Sequence, residues 1–294
     1  MRIDRREFLG AAVGAAGLLV SDAKAAAPDE TPAAKPNPFL DSLRSFRLGF
    51  GTGMKGWKRE SNQTRLGEKE FNKLLLYAYD SGIRLFDMAD LYGTHGHVAR
   101  ALKGKPRDSY FLTSKIWFRP DGLPEPERHD ADVYVRRFLK ELDTDYIDLL
   151  HIHCQTEGDW PKQMRKQMDL LDDLKRKGMI RGHGASIHSL EALEAAAGEP
   201  WVDAVNARVN QYRQRTDGPM EKVVPILKRI HAAGKGVIAM KLNGEGTLDE
   251  RQREAAMRFV SGLDCVDAMI VGFEKTAEID YFLSVVRPAA ESTG

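Results

Sequence analysis

Four side chains in this 294-residue sequence are of the types needed to place a proton on a carbonyl oxygen. The stretch Ile83-Arg84-Leu85-Phe86-Asp87-Met88-Ala89-Asp90-Leu91-Tyr92-Gly93 begins as an apolar strand and turns acidic and aromatic where that strand should end. With alternating side chains, Leu85, Asp87 and Ala89 share one face. A carboxylate on an apolar strand face is costly to bury unless a cation meets it. Lys115, closing the run from Tyr110, is the candidate cation, and His153 closes the run from Tyr146. Lys115 beside the Tyr92 hydroxyl favours the tyrosinate and lowers a phenol pKa that starts at about 10. Tyr92 then gives a proton to a carbonyl oxygen as charge develops there, while His153 donates a hydrogen bond to the same oxygen. None of the four supplies electrons, so a bound hydride donor must.

Positioning these groups requires strands that end at one rim. From Arg47 onward the chain alternates strand and helix patterns. Strands are expected at Leu48 to Gly53, around Leu85, and at Tyr110 to Lys115, Tyr146 to His153, Gly182 to Ser186, Val202 to Val209, Gly236 to Lys241 and Val266 to Val271. Helical stripes such as Phe71, Leu74, Leu75 and Ala78 lie between them, several stopped by glycine as at Gly82 and Gly178. Pro225 belongs near the start of its helix, and Thr247 with Glu250 has capping-box spacing ahead of Arg251 to Val260. Eight such units in roughly 250 residues predict an α/β fold, a (β/α)8 TIM barrel, with its site at the C-terminal ends of the strands. A doubly wound sheet would more often carry a glycine-rich phosphate loop, and neither G-x-G-x-x-G nor G-x-x-x-x-G-K-[ST] occurs.

Composition narrows the class. With 42% hydrophobic residues, 30% charged and a net charge of +1, the chain is an ordinary globular protein with no support for a nucleic-acid partner. Its two cysteines, Cys154 and Cys265, form no disulfide framework or cluster motif, and no metal is assigned. His151, His183, His188 and Cys154 read as polar packing or substrate contact, with Cys154 of opposite strand parity to His153. Trp57, Trp117, Phe118 and Trp160 follow strands one, three and four, where loops would rim a partly apolar pocket.

The N-terminus reads differently. Arg5-Arg6-Glu7-Phe8-Leu9, an apolar run from Gly10 to Val20 and the alanine-rich end to Ala27 have the layout of a secretory signal. The apolar run falls short of the roughly 20 residues of a spanning helix, so no stable membrane insertion is expected after processing. The paired arginines resemble a twin-arginine export signal, which implies the twin-arginine export machinery as a partner and a periplasmic or otherwise exported protein. If the signal is retained or unused, the protein would be membrane-anchored or cytoplasmic. Residues 28–44, with Pro28, Pro32, Pro36 and Pro38, read as a linker, and residues 45–294 as the barrel.

The segment Phe86 to Gly93, the run Leu112-Thr113-Ser114-Lys115, the run Asp148-Leu149-Leu150-His151-Ile152-His153 and Leu48-Gly49-Phe50-Gly51-Thr52 together resemble the aldo-keto reductases over residues 45 to 285. That resemblance implies a (β/α)8 barrel reducing a small-molecule aldehyde or ketone with NADPH, NADH being possible, and Asp87, Tyr92, Lys115 and His153 as a catalytic tetrad. It places Gly51 and Thr52 near the nicotinamide and Ser186 on its carboxamide. It sets Asn206 where the family usually has a strand-six glutamine, and Met240 where an aromatic ring often stacks on the nicotinamide. Leu242-Asn243-Gly244 falls at the pyrophosphate-binding loop, and Gly272 to Glu278, including Lys275, at the segment gripping the adenosine phosphate. Ile187 replaces an asparagine common after the serine, and Glu274 stands where an arginine often meets the 2′-phosphate, which favours NADH more than the family norm. Residue types alone leave isomerase or lyase chemistry, or ligand binding without turnover, as alternatives.

Overall fold

A computed structural model describes residues 38–286. Eight parallel strands close on themselves in sequence order. They are β1 (Leu48–Gly51), β2 (Leu85–Asp87), β3 (Phe111–Ile116), β4 (Ile147–Gln155), β5 (Ile180–Ile187), β6 (Ala204–Arg208), β7 (Gly236–Met240) and β8 (Ala268–Val271). Helices follow the strands around the outside, so the (β/α)8 expectation holds.

Alternation along each strand sorts the core into two layers. Leu85, Phe111, Leu149, Ala204, Ile238, Ala268 and Ile270 fill the interior, while neighbours such as Phe86, Leu112, Leu150, Val205 and Val237 pack outward under the helices. The same parity turns Asp87, Lys115, His151, His153, Ser186, Asn206, Arg208 and Met240 inward at the upper, C-terminal end.

The lower end is closed by a helix, Pro38–Ser45, that buries Leu40 and Leu43 in the interior layer. Residues 38–44 of the stretch read as a linker, 28–44, thus belong to this helix, and the remainder of that stretch lies outside the described residues. Proline suits the first turn of a helix, and the helix carries its own apolar stripe. Gly182 makes room for it, since a Cβ there would sit 2.7 Å from the Phe39 ring. Three aspartates at strand starts tie neighbouring strands together. Asp148 accepts from the Leu112 amide at 2.9 Å, Asp203 from His183 at 2.9 Å and Asp267 from Val237 at 2.8 Å.

Two helix details differ from the sequence reading. The capping box of Glu250–Ser261 is made by Asp249 and Gln252, not by Thr247 and Glu250. Thr247 instead bonds back to the Gly244 carbonyl, inside the turn before the helix. Pro225 sits in the second turn of Met220–Ala232 rather than its first, where its missing donor costs one bond close to the N-terminus. The reading of residues 1–27 as a signal lies outside the described residues. No described helix is long and apolar enough to cross a membrane.

Candidate active site

The mouth of the barrel is built around an ion pair. Lys115, 1% exposed, donates to Asp87 Oδ1 at 2.5 Å and to the Met88 carbonyl at 3.0 Å. Burial pushes Asp87 up and Lys115 down from their ordinary values, and each one's attraction for the other opposes that drift. The chain leaves β2 through a short turn, Asp90–Tyr92, ended by Gly93 in the left-handed region. That turn places the Tyr92 ring with its centroid 5.4 Å from Lys115 Nζ. The His153 ring meets the same tyrosine edge-on, 5.8 Å between centroids. The four residues singled out in the sequence are therefore brought together.

One electrostatic expectation is reversed. Tyr92 is held well above the ordinary phenol value, first by burial and then by the negative charges of Asp87 and Glu245. The phenol is thus kept as the proton-bearing acid, not as a tyrosinate. His153 is held well below the ordinary imidazole value by burial and by Lys115, so it is neutral and carries a single N–H.

The β1 loop holds the tyrosine from above. Gly53 and Gly56 lie so close to the Tyr92 ring that a Cβ at either would overlap it. Trp57 from this loop packs edge-on against Trp117 at 5.9 Å, and Trp117 against His153 at 5.1 Å. These two tryptophans border the site as expected. The other two aromatics do not. Phe118 packs on Tyr134 under the helix Ala131–Leu142, at 5.8 Å. Trp160, 1% exposed, starts a short helix and donates its indole N–H to the Ala192 carbonyl at 3.2 Å, inside the outer core. Counting residues after β4 placed it in a loop, whereas the chain has already turned into a helix there.

Opposite the tyrosine, Ser186 and Asn206 are register partners on β5 and β6, both fully buried. Ser186 Oγ and both amide atoms of Asn206 have no hydrogen-bond partner among the described residues. Buried polar atoms are rarely left unpaired, so this pair is a ready receiver for a group offering both a donor and an acceptor. Met240, nearly buried, stands inward beside them on β7.

Other cofactor candidates are placed less simply. Gly51 ends β1 where an added Cβ would sit 2.8 Å from Ile270, and Thr52 is buried, its hydroxyl bonded to the Asp87 carbonyl at 2.9 Å and to Thr94 at 2.7 Å. Thr52 therefore fixes the backbone of Asp87 and has no free hydroxyl for a ligand. Leu242 is a core residue, and Gly244 forms a left-handed turn behind it. Gly272 is covered by Met54, while Lys275 is exposed. Glu278 accepts from the amides of Glu274 at 2.7 Å and Lys275 at 3.2 Å, so it shapes its own loop.

Sequence reasoning missed two rim residues, Arg208 and Glu245, and set a third, Cys154, on the opposite face. Arg208 shares the inward parity of Asn206, a signal present in the strand pattern. Glu245 follows β7 and pairs with Lys241 and with Arg215, the latter at 3.3 Å. Cys154, assigned opposite parity to His153, joins Tyr92, Leu91, Trp117 and Leu123 in the cluster at the mouth. A register shift between Ile152 and Gln155, with Cys154 at φ 59°, turns it there. Among the described residues no group of three histidine, cysteine or carboxylate side chains is arranged to hold a metal.

The match to known families decides what this barrel is. Residues 47–284 match the model of the aldo/keto reductase family. The chain belongs to that family. Among curated relatives, the Glycine max protein named "Probable aldo-keto reductase 1" is 27% identical over 208 residues, covering 68% of this chain and 56% of that protein. Glycerol 2-dehydrogenase (NADP(+)) of Saccharomyces cerevisiae is 29% identical over 205 residues, covering 58% of this chain and 61% of that one. The matched stretch thus spans only a little over half the length of these relatives. Among solved structures, the holo form of the aldo-keto reductase AKR11C1 from Bacillus halodurans shares the fold with a TM-score of 0.66 at 21% identity, covering 83% of this chain and 87% of that one.

Proposed function

We propose that this aldo-keto reductase reduces an aldehyde or ketone with hydride from a nicotinamide dinucleotide, Tyr92 being the acid. The observation that carries the reading is the meeting of Tyr92 and His153 above the Lys115–Asp87 pair, on the rim that also bears the unpartnered Ser186 and Asn206. Ser186 and Asn206 would hold the carboxamide of the nicotinamide, with Met240 against its ring. When bound, the dinucleotide supplies the hydride.

The chain's own groups do the rest. His153, neutral, donates its N–H to the carbonyl oxygen and orients it. Tyr92 passes its proton to that oxygen as negative charge grows there, and the positive charge of Lys115 steadies the phenolate left behind. Asp87 holds the lysine in place, and the β1 loop with Trp57 and Trp117 restricts water around the reacting oxygen. The dinucleotide is NADPH or NADH. The name of the yeast relative supports the first, and Glu274 in the phosphate-gripping segment supports the second.

Oxidation of NADPH and NADH against a panel of aldehydes and ketones tests the reading. Tyr92→Phe should cut kcat by about 10²–10⁴, the usual worth of a general acid, while dinucleotide binding followed by fluorescence persists. Equal turnover by the mutant removes Tyr92 from the role of acid. The arginine-paired N-terminus further supports export through the twin-arginine machinery to the periplasm. Fractionation of cells expressing the chain with Arg5→Lys and Arg6→Lys checks this, and unchanged distribution rejects it.

A further inference from the structure

Arg208 is the last residue of β6 and points into the mouth, one inward layer above Asn206. An arginine inside a barrel mouth needs a reason, because a guanidinium is costly to desolvate. Its partner, Asp217, is fully buried and takes only one edge of it. Asp217 Oδ1 accepts from Arg208 Nε at 2.6 Å, and Oδ2 from the Arg208 backbone amide at 2.8 Å. The two terminal nitrogens donate to no described residue, and the side chain, 16% exposed at an inward strand position, leaves them accessible at the mouth. A planar pair of N–H donors left this way matches the two oxygens of a carboxylate.

The surroundings say on which side of the mouth such an anion would lie. The guanidinium acts electrostatically on His188, after β5, and on Cys154, at the end of β4. Arg119, exposed in the loop after β3, acts on the same thiol. The His188 ring lies 6.2 Å from that of His153, and its buried Nδ1 has no partner among the described residues. Arg208 at the end of β6 and Arg119 after β3 thus both act on residues next to His153, where the carbonyl must sit. The nearby acidic groups do not cancel them. Glu245, on which Arg208 also acts, is already paired with Lys241 and Arg215, and Asp121 lies on the exposed loop of Arg119. Burial pushes Asp217 up to about 7, so near neutral pH much of it is uncharged. The Cys154 thiol is also raised by burial and stays neutral.

We infer that this site takes carbonyl substrates bearing a carboxylate a few bonds from the reacting carbon, with Arg208 as the main anion contact and Arg119 assisting. This rests on the carbonyl-reductase reading and adds a substrate class to it. The same guanidinium could in principle meet the pyrophosphate of the dinucleotide. It acts on Glu245 after β7 as well as on His188 and Cys154 at the ends of β5 and β4, and the outcome of Arg208→Gln separates the two ligands.

The test compares 4-carboxybenzaldehyde with its methyl ester, using whichever dinucleotide supports turnover. KM for the acid should be at least about tenfold lower than for the ester, as expected when a charge-assisted pair of hydrogen bonds is added. Arg208→Gln should bring the two within about twofold, Arg208→Lys should retain part of the difference, and the exposed Arg119→Gln should lose about threefold of it. A native ratio near one, or a ratio untouched by all three substitutions, overturns the inference. So does Arg208→Gln weakening dinucleotide binding with the acid-to-ester ratio intact, which would assign the arginine to the pyrophosphate. Absence of turnover with both compounds would reject the reductase reading instead. Calorimetry with 4-(hydroxymethyl)benzoate and its methyl ester then decides separately: tighter, Arg208-dependent binding of the acid upholds the anion site, and equal binding rejects it.

Discussion

Asp87 and Lys115 carry their charges 2.5 Å apart in a place where neither would remain charged alone. Truncating one member of a buried pair costs about 3–5 kcal/mol, mainly because the survivor is left uncompensated. Lys115→Met should therefore lower unfolding stability in urea by that amount and abolish turnover. Adding Asp87→Leu to it should recover most of the stability and none of the activity. If the double variant is no more stable than Lys115→Met, the pair is not what fixes the cost. The tyrosine and histidine make a second prediction at this scale. Tyr92 is raised above its ordinary value and His153 lowered below its own, so both keep their working protonation states from about pH 6.5 to beyond 9. The kcat for reduction at saturating substrate should be flat across that range. A fall with a midpoint near 7 would mean that His153 must be charged to act.

Strands and helices were legible to different depths. Inward parity of Leu85, Asp87 and Ala89, together with polar residues at strand ends, carried the order of the barrel and the tetrad, because period-two patterns depend only on local geometry. What the sequence hid depends on contacts between distant segments. The helix Pro38–Ser45 lay in a proline-rich stretch that looked like tether, and only the glycine-lined lower end of the barrel explains its docking. The bulge that turns Cys154 toward the mouth, and the burial of Trp160 between helices, likewise have no local signature. The closing helix should be a true part of the fold. Leu43→Ala should cost about 2–5 kcal/mol, the range for a large buried aliphatic residue, measured by thermal or urea unfolding. A loss below about 0.5 kcal/mol would return that segment to the linker. At the other helix in question, Asp249→Ala should cost about 1 kcal/mol by removing the cap, with Gln252→Ala also destabilising.

For the whole molecule, the polar interior ties stability to pH through groups kept neutral by burial. His151 and His153 are held well below the ordinary imidazole range, His183 is lowered, and His188 is lowered to about 3. In the unfolded chain each binds a proton below about pH 6.5, whereas in the folded protein each resists it. The unfolded state then binds more protons, and stability falls as pH drops through that value. Asp217, raised to about 7, works the other way: between about pH 4 and 7 the folded protein holds a proton that the unfolded chain has released. With His97 lowered as well, five imidazoles oppose three carboxyls raised by burial, Asp87, Asp148 and Asp217, so the net direction from 7 to 5 is loss on acidification. Tm by calorimetry should fall from pH 7 to pH 5. Asp217→Asn should steepen that fall, because the native proton that favours the folded state at low pH is gone. His188→Gln should make it shallower by removing one of the protons taken up on unfolding. The two substitutions move the slope in opposite directions, which separates this origin from general acid denaturation of surface ion pairs. A slope indifferent to both would place the acid sensitivity outside the barrel mouth.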